Sequence, residues 1–379
     1  MQVPFAKPYF SEEDLDQILA DMRVILKKGW LTSGKNVETF EQNFASFVGA
    51  SHGVAMNSCT AALHSIMLSL GIGPGDEVIV PSDTFVATAN AVVYSGAKPV
   101  FADSDPDTFN ISPKEVERKI TPRTRALVAV HLAGNPCDMK ELLHVTKDYG
   151  IKLVEDCAHA HGATYNGEHC GKFGIASAFS FYATKIITTG EGGMVLTENK
   201  ELAENIRKLR NQGRGGYGPL QNTILGYNYR MPEILSIIGL QQLKHLGEFL
   251  SQRELIARSY KSLLKEVPWM KVQTVKEGNS CSYYAFLVRL SRNSPITRDE
   301  LARRLNEQGV GTSILYHPIH TQPLYFRDNA LSDCPVSVEL GEQTIALPMF
   351  NGMSQDELAF VKSQLAAIID TLQEQIVTA

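Results

Sequence analysis

What the 379-residue chain lacks narrows its class first. No apolar run approaches the roughly eighteen residues of a membrane-spanning helix. The opening MQVPFAKPYFSEED has neither the basic start nor the apolar stretch of a secretion signal, so a cytoplasmic protein is expected. The six cysteines (Cys59, Cys137, Cys157, Cys170, Cys281 and Cys334) contain no CxxC pair, which argues against a disulfide framework or a cysteine metal site and for reduced thiols. Lys and Arg number 36 against 41 Asp and Glu, are spread along the chain, and leave a formal charge of -5, so no nucleic-acid partner is expected. There is no internal repeat and no low-complexity tract.

What is present is an ordinary globular composition, 44% hydrophobic and 20% charged, in a chain too long for one small domain. From about residue 54 to 197, short apolar runs alternate with helix-like stretches. The runs are EVIV (77–80), KPVFAD (98–103), RALVAV (125–130), IKLVED (151–156), SAFSFY (177–182) and GGMVLT (192–197). Brief, uninterrupted runs suit strands covered on both faces. Between them lie TAALHSIMLSL (60–70) and SPKEVERKI (112–120), the latter with Ser112 as N-cap and Pro113 at the first helical position. The alternation predicts an α/β fold with a mostly parallel sheet. After about residue 240 the texture changes to long amphipathic pieces, a strand-like YYAFLVRL (283–290), a helix (298–308) and a closing helix from about Gln355. We expect a large domain over 1–245 and a smaller α+β domain over 246–379, with an N-terminal arm, about 1–14, packing on the smaller one.

Ligands of such sheets bind beyond the carboxyl ends of the strands. There stand His131, Glu155, Asp156 and the stretch Tyr182 to Lys185. Asp156 closes a strand expected to be central, where a carboxylate needs a cation or an N–H partner; it also reads as a cap of the next helix. Ser58, Cys59, Thr60 and Ala61 open an apolar helix whose free N–H groups suit a phosphate, although a capped helix and nothing more is the simpler reading. His159 and His161 in EDCAHAHG invite a metal, but no third ligand stands at a diagnostic spacing, so a stacked or backbone-satisfied histidine is expected and no metal. Lys185 lies between a strand that holds Ser180 and a glycine-rich turn (Gly190, Gly192, Gly193) that implies a close backbone approach. A lysine held in a site forms Schiff bases. Amine, strand-end carboxylate and phosphate seat together are what pyridoxal 5'-phosphate (PLP) asks for.

The chain resembles the DegT/DnrJ/EryC1/StrS (ArnB-like) family of sugar aminotransferases nearly end to end. The likeness is carried by GWLTSG (29–34), NSCTAAL (57–63), PSDTFVATANAV (81–92), EDCAHAHGA (155–163), FSFYATKIITTGEGGMV (179–195), LGYNYRM (225–231) and YHPIHTQPLY (316–325). The resemblance implies a fold-type I PLP transferase with a mixed, mostly parallel seven-stranded sheet and a smaller C-terminal domain. It implies a homodimer with shared active sites and no membrane partner. Lys185 is then the catalytic Schiff-base lysine, Asp156 the partner of the pyridinium nitrogen, and Ser180 with Ser58 to Ala61 the phosphate ligands. Phe85 is the ring that stacks on the cofactor, and Asn228 reaches the phosphate from the partner subunit. His159 stands where many members have Gln beside the cofactor's ring oxygen. Trp30, Thr32, Tyr182, Arg230, Tyr316, His317 and His320 are the substrate contacts that the likeness suggests.

The implied reaction moves an amino group from an amino acid, glutamate first among candidates, to a keto sugar carried on a nucleotide, with pyridoxamine 5'-phosphate as the intermediate form. Two other readings stand beside it. A PLP-dependent dehydratase or lyase is opposed by the retained Lys185, and a non-catalytic regulator finds no basic patch or DNA-binding appendage in the sequence.

Overall fold

A computed structural model describes residues 1–215, 221–326 and 333–378 of the chain. The chain enters through two amphipathic helices, α1 (Glu12–Lys28) and α2 (Lys35–Val48). The Ser11 hydroxyl caps α1 by accepting the Asp14 N–H at 3.1 Å, and Gly29 ends the helix in the left-handed conformation that glycine adopts without strain (φ 71°). Acids fill the first turn and Lys27 and Lys28 the last, the order that the helix dipole favours.

The main sheet is then laid down strand by strand: β1 (His52–Met56), α3 (Cys59–Ser69), β2 (Glu77–Pro81), α4 (Ala87–Tyr94), β3 (Lys98–Ala102), α5 (Pro113–Lys119), β4 (Thr124–Val130), α6 (Met139–Asp148) and β5 (Lys152–Asp156). A short hairpin, β6 (Thr164–Tyr165) with β7 (Glu168–His169), precedes β8 (Ala176–Ser180), β9 (Gly193–Thr197) and α7 (Lys200–Arg210). The spatial order is β1-β9-β8-β5-β4-β2-β3. The run β8-β5-β4-β2-β3 is parallel, whereas β9 is antiparallel to both of its neighbours. Side chains alternate between two apolar layers, as the pleat requires. Phe179, Met194 and Leu196 join Phe40, Phe44 and Phe181 on one face, while Ala178, Val195, Val54 and Met56 join Leu63 and Ile66 on the other.

All six expected strands are present to within about two residues. Two departures have physical causes. The 177–182 run ends at Ser180, because the Phe181 N–H turns to the Gly192 carbonyl (2.9 Å) and Tyr182 begins the turn that carries Lys185. The 283–290 run becomes strand only at Phe286. Ser282 and Tyr284 instead give their N–H groups to Gly134 (3.1 Å) and Ala133 (2.9 Å), on the turn after β4, and Tyr283 adopts a left-handed φ of 48°.

Helices α8 (Glu233–Lys244) and α9 (Leu246–Leu264) meet at His245. Beyond them, β10 (Met270–Val272), β11 (Phe286–Leu290) and β12 (Thr344–Leu347) form a three-stranded antiparallel sheet. It shares a second core with the later part of α9, with α10 (Arg298–Glu307) and with the closing helix Gln355–Thr378. The N-terminal arm joins that core. Val3 is buried there, donates its N–H to Gly309 and accepts one from Gly311, both at 2.8 Å.

Helix α2 packs directly on β1, and α8 packs across α1 and α2, where Gly239 faces the Phe40 ring. A Cβ at Gly239 would stand 2.7 Å from that ring. Gly239→Ala is therefore expected to lower the unfolding free energy by about 1–3 kcal/mol despite the better helix propensity of alanine, as read by chemical denaturation.

Candidate active site

The strands β4, β5 and β8 end side by side, with Val130 opposite Asp156 and Asp156 opposite Ala178. Asp156 is buried, and burial pushes its carboxyl above the ordinary range. Its Oδ2 accepts the Thr88 hydroxyl at 2.9 Å and its Oδ1 the Ala158 N–H at 3.1 Å. Among the described residues it has no ion-pair partner at contact distance, although the Lys185 charge acts on it. The group is thus fixed in direction and ready to accept a cationic N–H.

Lys185 is half-buried, in the turn after β8. Its Nζ lies 4.3 Å from the centroid of the Tyr284 ring. The other face of that ring system carries His159, stacked at 4.1 Å and 14°. His159 Nδ1 accepts the Ala133 N–H at 3.2 Å, which places the ring proton on Nε2, where the Tyr316 hydroxyl stands at 3.1 Å. Burial, and after it the Lys185 charge, holds the His159 pKa well below the ordinary value, so the ring is neutral. The Tyr316 N–H is accepted by Asp83 Oδ1 at 3.2 Å. Burial raises the Asp83 carboxyl to about 8.

A helix N-terminus adjoins this group. Ser58 caps α3, its hydroxyl accepting the Ala61 N–H at 3.1 Å. Gly193 pairs with Ser180 on one side and with Met56 on the other, and a Cβ there would stand 2.5 Å from the Ser58 carbonyl. Glycine at the first position of β9 thus lets that strand press against the start of α3, which brings both Ser180 and the Ser58 to Ala61 turn close to one glycine. Ser180 Oγ accepts the Tyr182 N–H at 3.3 Å and retains its own proton to donate. A reactive amine, an oriented carboxylate lacking a cation at contact distance and a seat of N–H and hydroxyl donors fit PLP.

The remaining residues singled out in the sequence divide. Phe85 is 55% exposed, with its ring 5.7 Å from that of Tyr316. Tyr182 and His317 are exposed, the first in the turn that carries Lys185 and the second next to Tyr316 in the chain. Asn228 is exposed beside the helix seat, its carbonyl accepting the Asn57 side-chain N–H at 3.3 Å. His320 departs from the expectation of a substrate contact: it is buried, and its Nδ1 is bonded to the Ser82 hydroxyl. Trp30, Thr32 and Arg230 line a cleft of about 620 Å³ with Asn211 and Arg214, and Arg230 Nη1 donates to Asn211 Oδ1 at 3.0 Å. That lining includes none of the residues around Lys185.

His161 is core, set among Phe44, Phe179 and Phe181, and burial lowers its pKa to about 3. His131, Glu155 and Cys157 cluster closely enough to suggest a metal. Glu155, however, already accepts N–H groups from Gly171 (2.7 Å), Phe173 (2.7 Å) and Gly174 (2.8 Å), and His131 Nδ1 accepts that of Cys137 (3.0 Å). The cluster ties the 171–174 loop to the sheet.

Three site residues escaped the sequence reading. Thr88 lies within a quoted segment, but nothing in its spacing says that it faces Asp156. Tyr284 sat in a supposed strand. Asp83 carried no signal beyond its place after β2.

The fold and this site define a PLP-dependent aminotransferase. A profile of the DegT/DnrJ/EryC1/StrS aminotransferase family matches residues 12–366, and the chain belongs to that family. It is 37% identical over 370 residues to the spore coat polysaccharide biosynthesis protein SpsC of Bacillus subtilis, covering 94% of both chains. It is also 37% identical to the GDP-perosamine synthase of Caulobacter vibrioides, covering 97% of this chain and 98% of that one. The solved aminotransferase TlmJ from Streptoalloteichus hindustanus superposes with a TM-score of 0.91 at 34% identity, over 98% of this chain and 100% of that one. The sugar aminotransferase Spr1654 of Streptococcus pneumoniae, described as putative and solved in its PLP form, superposes with a TM-score of 0.90 at 27% identity, over 98% and 100%. Among the described residues, no helix is long and apolar enough to cross a membrane.

Asp83 yields a pH dependence. Its folded pKa, about 8, lies above the unfolded value of about 4, so its contribution to stability is full below the lower value and is lost as pH rises to the upper one. Asp83→Asn cannot ionise. Its thermal midpoint relative to wild type is expected to rise between about pH 5 and pH 8 and to level off above, in melts taken across that range.

Proposed function

We propose that the enzyme takes the amino group of an amino acid, glutamate in our reading, and delivers it to a keto sugar linked to a nucleotide, in two half-reactions on one site. The observation that carries this is Lys185, an amine over the Tyr284 ring whose charge reaches the oriented Asp156 carboxylate, with a capped helix start nearby as the phosphate seat. PLP, when bound, supplies an electron sink for the α-carbon of the amino acid.

The chain's own residues divide the work. Lys185 would hold the cofactor through its amine and, when that amine is free, would take up and return the proton at the substrate carbon. Asp156, aimed by Thr88 and Ala158, holds the ring nitrogen in its protonated form. Ser180, Ser58 and the N–H groups of Cys59, Thr60 and Ala61 receive the phosphate. Phe85 would cover the ring, and His159 holds the Tyr316 hydroxyl through its Nε2. Tyr182 and His317 border the opening through which a sugar would enter.

The sugar-nucleotide reading is supported by the relative named as a GDP-perosamine synthase. The Trp30, Thr32 and Arg230 cleft supplies a guanidinium and an indole for a nucleotide diphosphate. That this cleft has no residue of the Lys185 group in its lining favours a homodimer in which one protomer completes the site of its partner. The exposed apolar side chains Phe85, Tyr94, Tyr182 and Leu225 favour the same arrangement.

Lys185→Ala is expected to bind PLP without covalent attachment and to lose keto-acid formation by at least ~10²-fold, read from the cofactor absorbance and a coupled keto-acid assay. Wild-type turnover in that variant would sink the assignment. Enzyme loaded with pyridoxamine phosphate and offered a panel of nucleotide keto sugars should return to the PLP spectrum with one of them and not with the free sugars.

A further inference from the structure

Arg253, on α9, is 2% exposed and has no carboxylate partner among the described residues. Burial lowers its pKa to about 10, still well above neutrality, so a charged guanidinium is enclosed in protein. A carboxylate would be the ordinary compensation. Here the fork is spent on neutral groups: Nε donates to Asn351 Oδ1 at 2.7 Å, and Nη1 to the carbonyls of Tyr283 (2.9 Å), Tyr284 (3.2 Å) and Met349 (3.4 Å). A core position filled for packing alone would take an apolar residue and avoid the desolvation cost.

Two of those acceptors lead to the same place. Asn351 is buried, and with its oxygen committed to Arg253 its amide nitrogen is directed at the Ile186 carbonyl, 2.6 Å away. Tyr284, its carbonyl gripped by Arg253, bonds through its hydroxyl to Thr184 Oγ1 at 3.0 Å and lays its ring under Lys185 Nζ. The residues immediately before and after Lys185 are therefore each tied to a group that Arg253 holds.

We propose that Arg253, through Asn351 and Tyr284, is a positioning residue for Lys185: one buried guanidinium fixes the Ile186 carbonyl and the Thr184 side chain on either side of the reacting amine, and the ring beneath it. The proposal rests on the reading of Lys185 as the amine that bonds the cofactor. Its chemistry is that of geometry, since a reacting group displaced by about 1 Å can lose ~10²-fold in rate without any change in its identity.

Two variants each cut one tether and leave Arg253 bonded. Asn351→Asp still accepts from Arg253, now as a charged pair, but no longer donates to Ile186. Tyr284→Phe keeps the ring and the carbonyl but loses the bond to Thr184. Each holoenzyme is compared with wild type in thermal midpoint, in the visible circular dichroism of the bound cofactor, and in kcat and KM for the amino donor. The expected result is a midpoint within a few degrees of wild type, an altered dichroic band, and kcat reduced ~10-fold with KM little changed. Wild-type dichroism and kcat in both variants would overturn the proposal, and should Asn351→Asp not fold, Tyr284→Phe decides alone. Borohydride reduction of wild-type holoenzyme followed by peptide mapping tests the underlying reading separately. A label away from Lys185 refutes that reading, whereas a label on Lys185 with unaltered variants refutes only the positioning role.

Discussion

A carboxylate at the end of a strand covered on both faces cannot rely on water, and the site is organised around that constraint at Asp156. Its neighbours in register, Val130 and Ala178, are apolar, so the relief must come from above the strand end. Thr88 and the Ala158 N–H supply two hydrogen bonds and leave the group above its ordinary pKa. Two neutral donors orient the carboxylate without neutralising it. A cationic N–H placed against it would gain from a direction already fixed, which is what a protonated ring nitrogen offers and what an adventitious water does not.

The lysine is positioned by a different part of the chain. Strand β8 delivers Lys185 to the right end of the sheet, but its orientation depends on the 282–284 segment, which leaves its expected strand path to dock on the turn after β4. That turn also presents the Ala133 N–H that fixes His159. One short stretch of backbone, 132–134, therefore aligns both the ring under the amine and the imidazole stacked on it. The second core is no passive appendage, since it reaches the amine through α9 and Asn351.

The strands at 77–80, 98–103, 125–130 and 151–156 were legible because each is a continuous apolar run, the pattern that a doubly covered parallel strand imposes. Strand β1 was not, since HGVAM is five residues with a glycine and a histidine, and its place at the sheet edge comes from pairing with β9, far along the chain, as in the pair Ala55 and Met194. Asp156 and Ser180, and Lys185 in the turn that follows, could be placed at one end of the sheet because a strand end is a place that sequence can name. Tyr284 could not, because its position comes from a strand that starts late, at Phe286, after a left-handed Tyr283. His320 shows the opposite failure. Its motif suggests an open loop, but the Ile319 N–H bonds to the Ser82 carbonyl at 2.9 Å and draws the ring inward onto the Ser82 hydroxyl.

The imidazoles near the amine explain how a site with several titratable groups can keep its charges simple. His159 and His161 are both buried, and both lie close enough to Lys185 for its charge to add to the effect of burial, so neither ring takes up a proton near neutrality. His161 is surrounded by phenylalanines and serves as packing. His159 is used as a polar group of fixed sense, with an acceptor toward Ala133 and a donor toward Tyr316. A histidine that titrated during turnover would reverse its Nδ1 from acceptor to donor and break the Ala133 bond, loosening Tyr316 and the stack on Tyr284 together. Keeping the ring neutral therefore preserves the geometry around Lys185: the Ala133 bond, the Tyr316 bond and the stack on Tyr284 hold together.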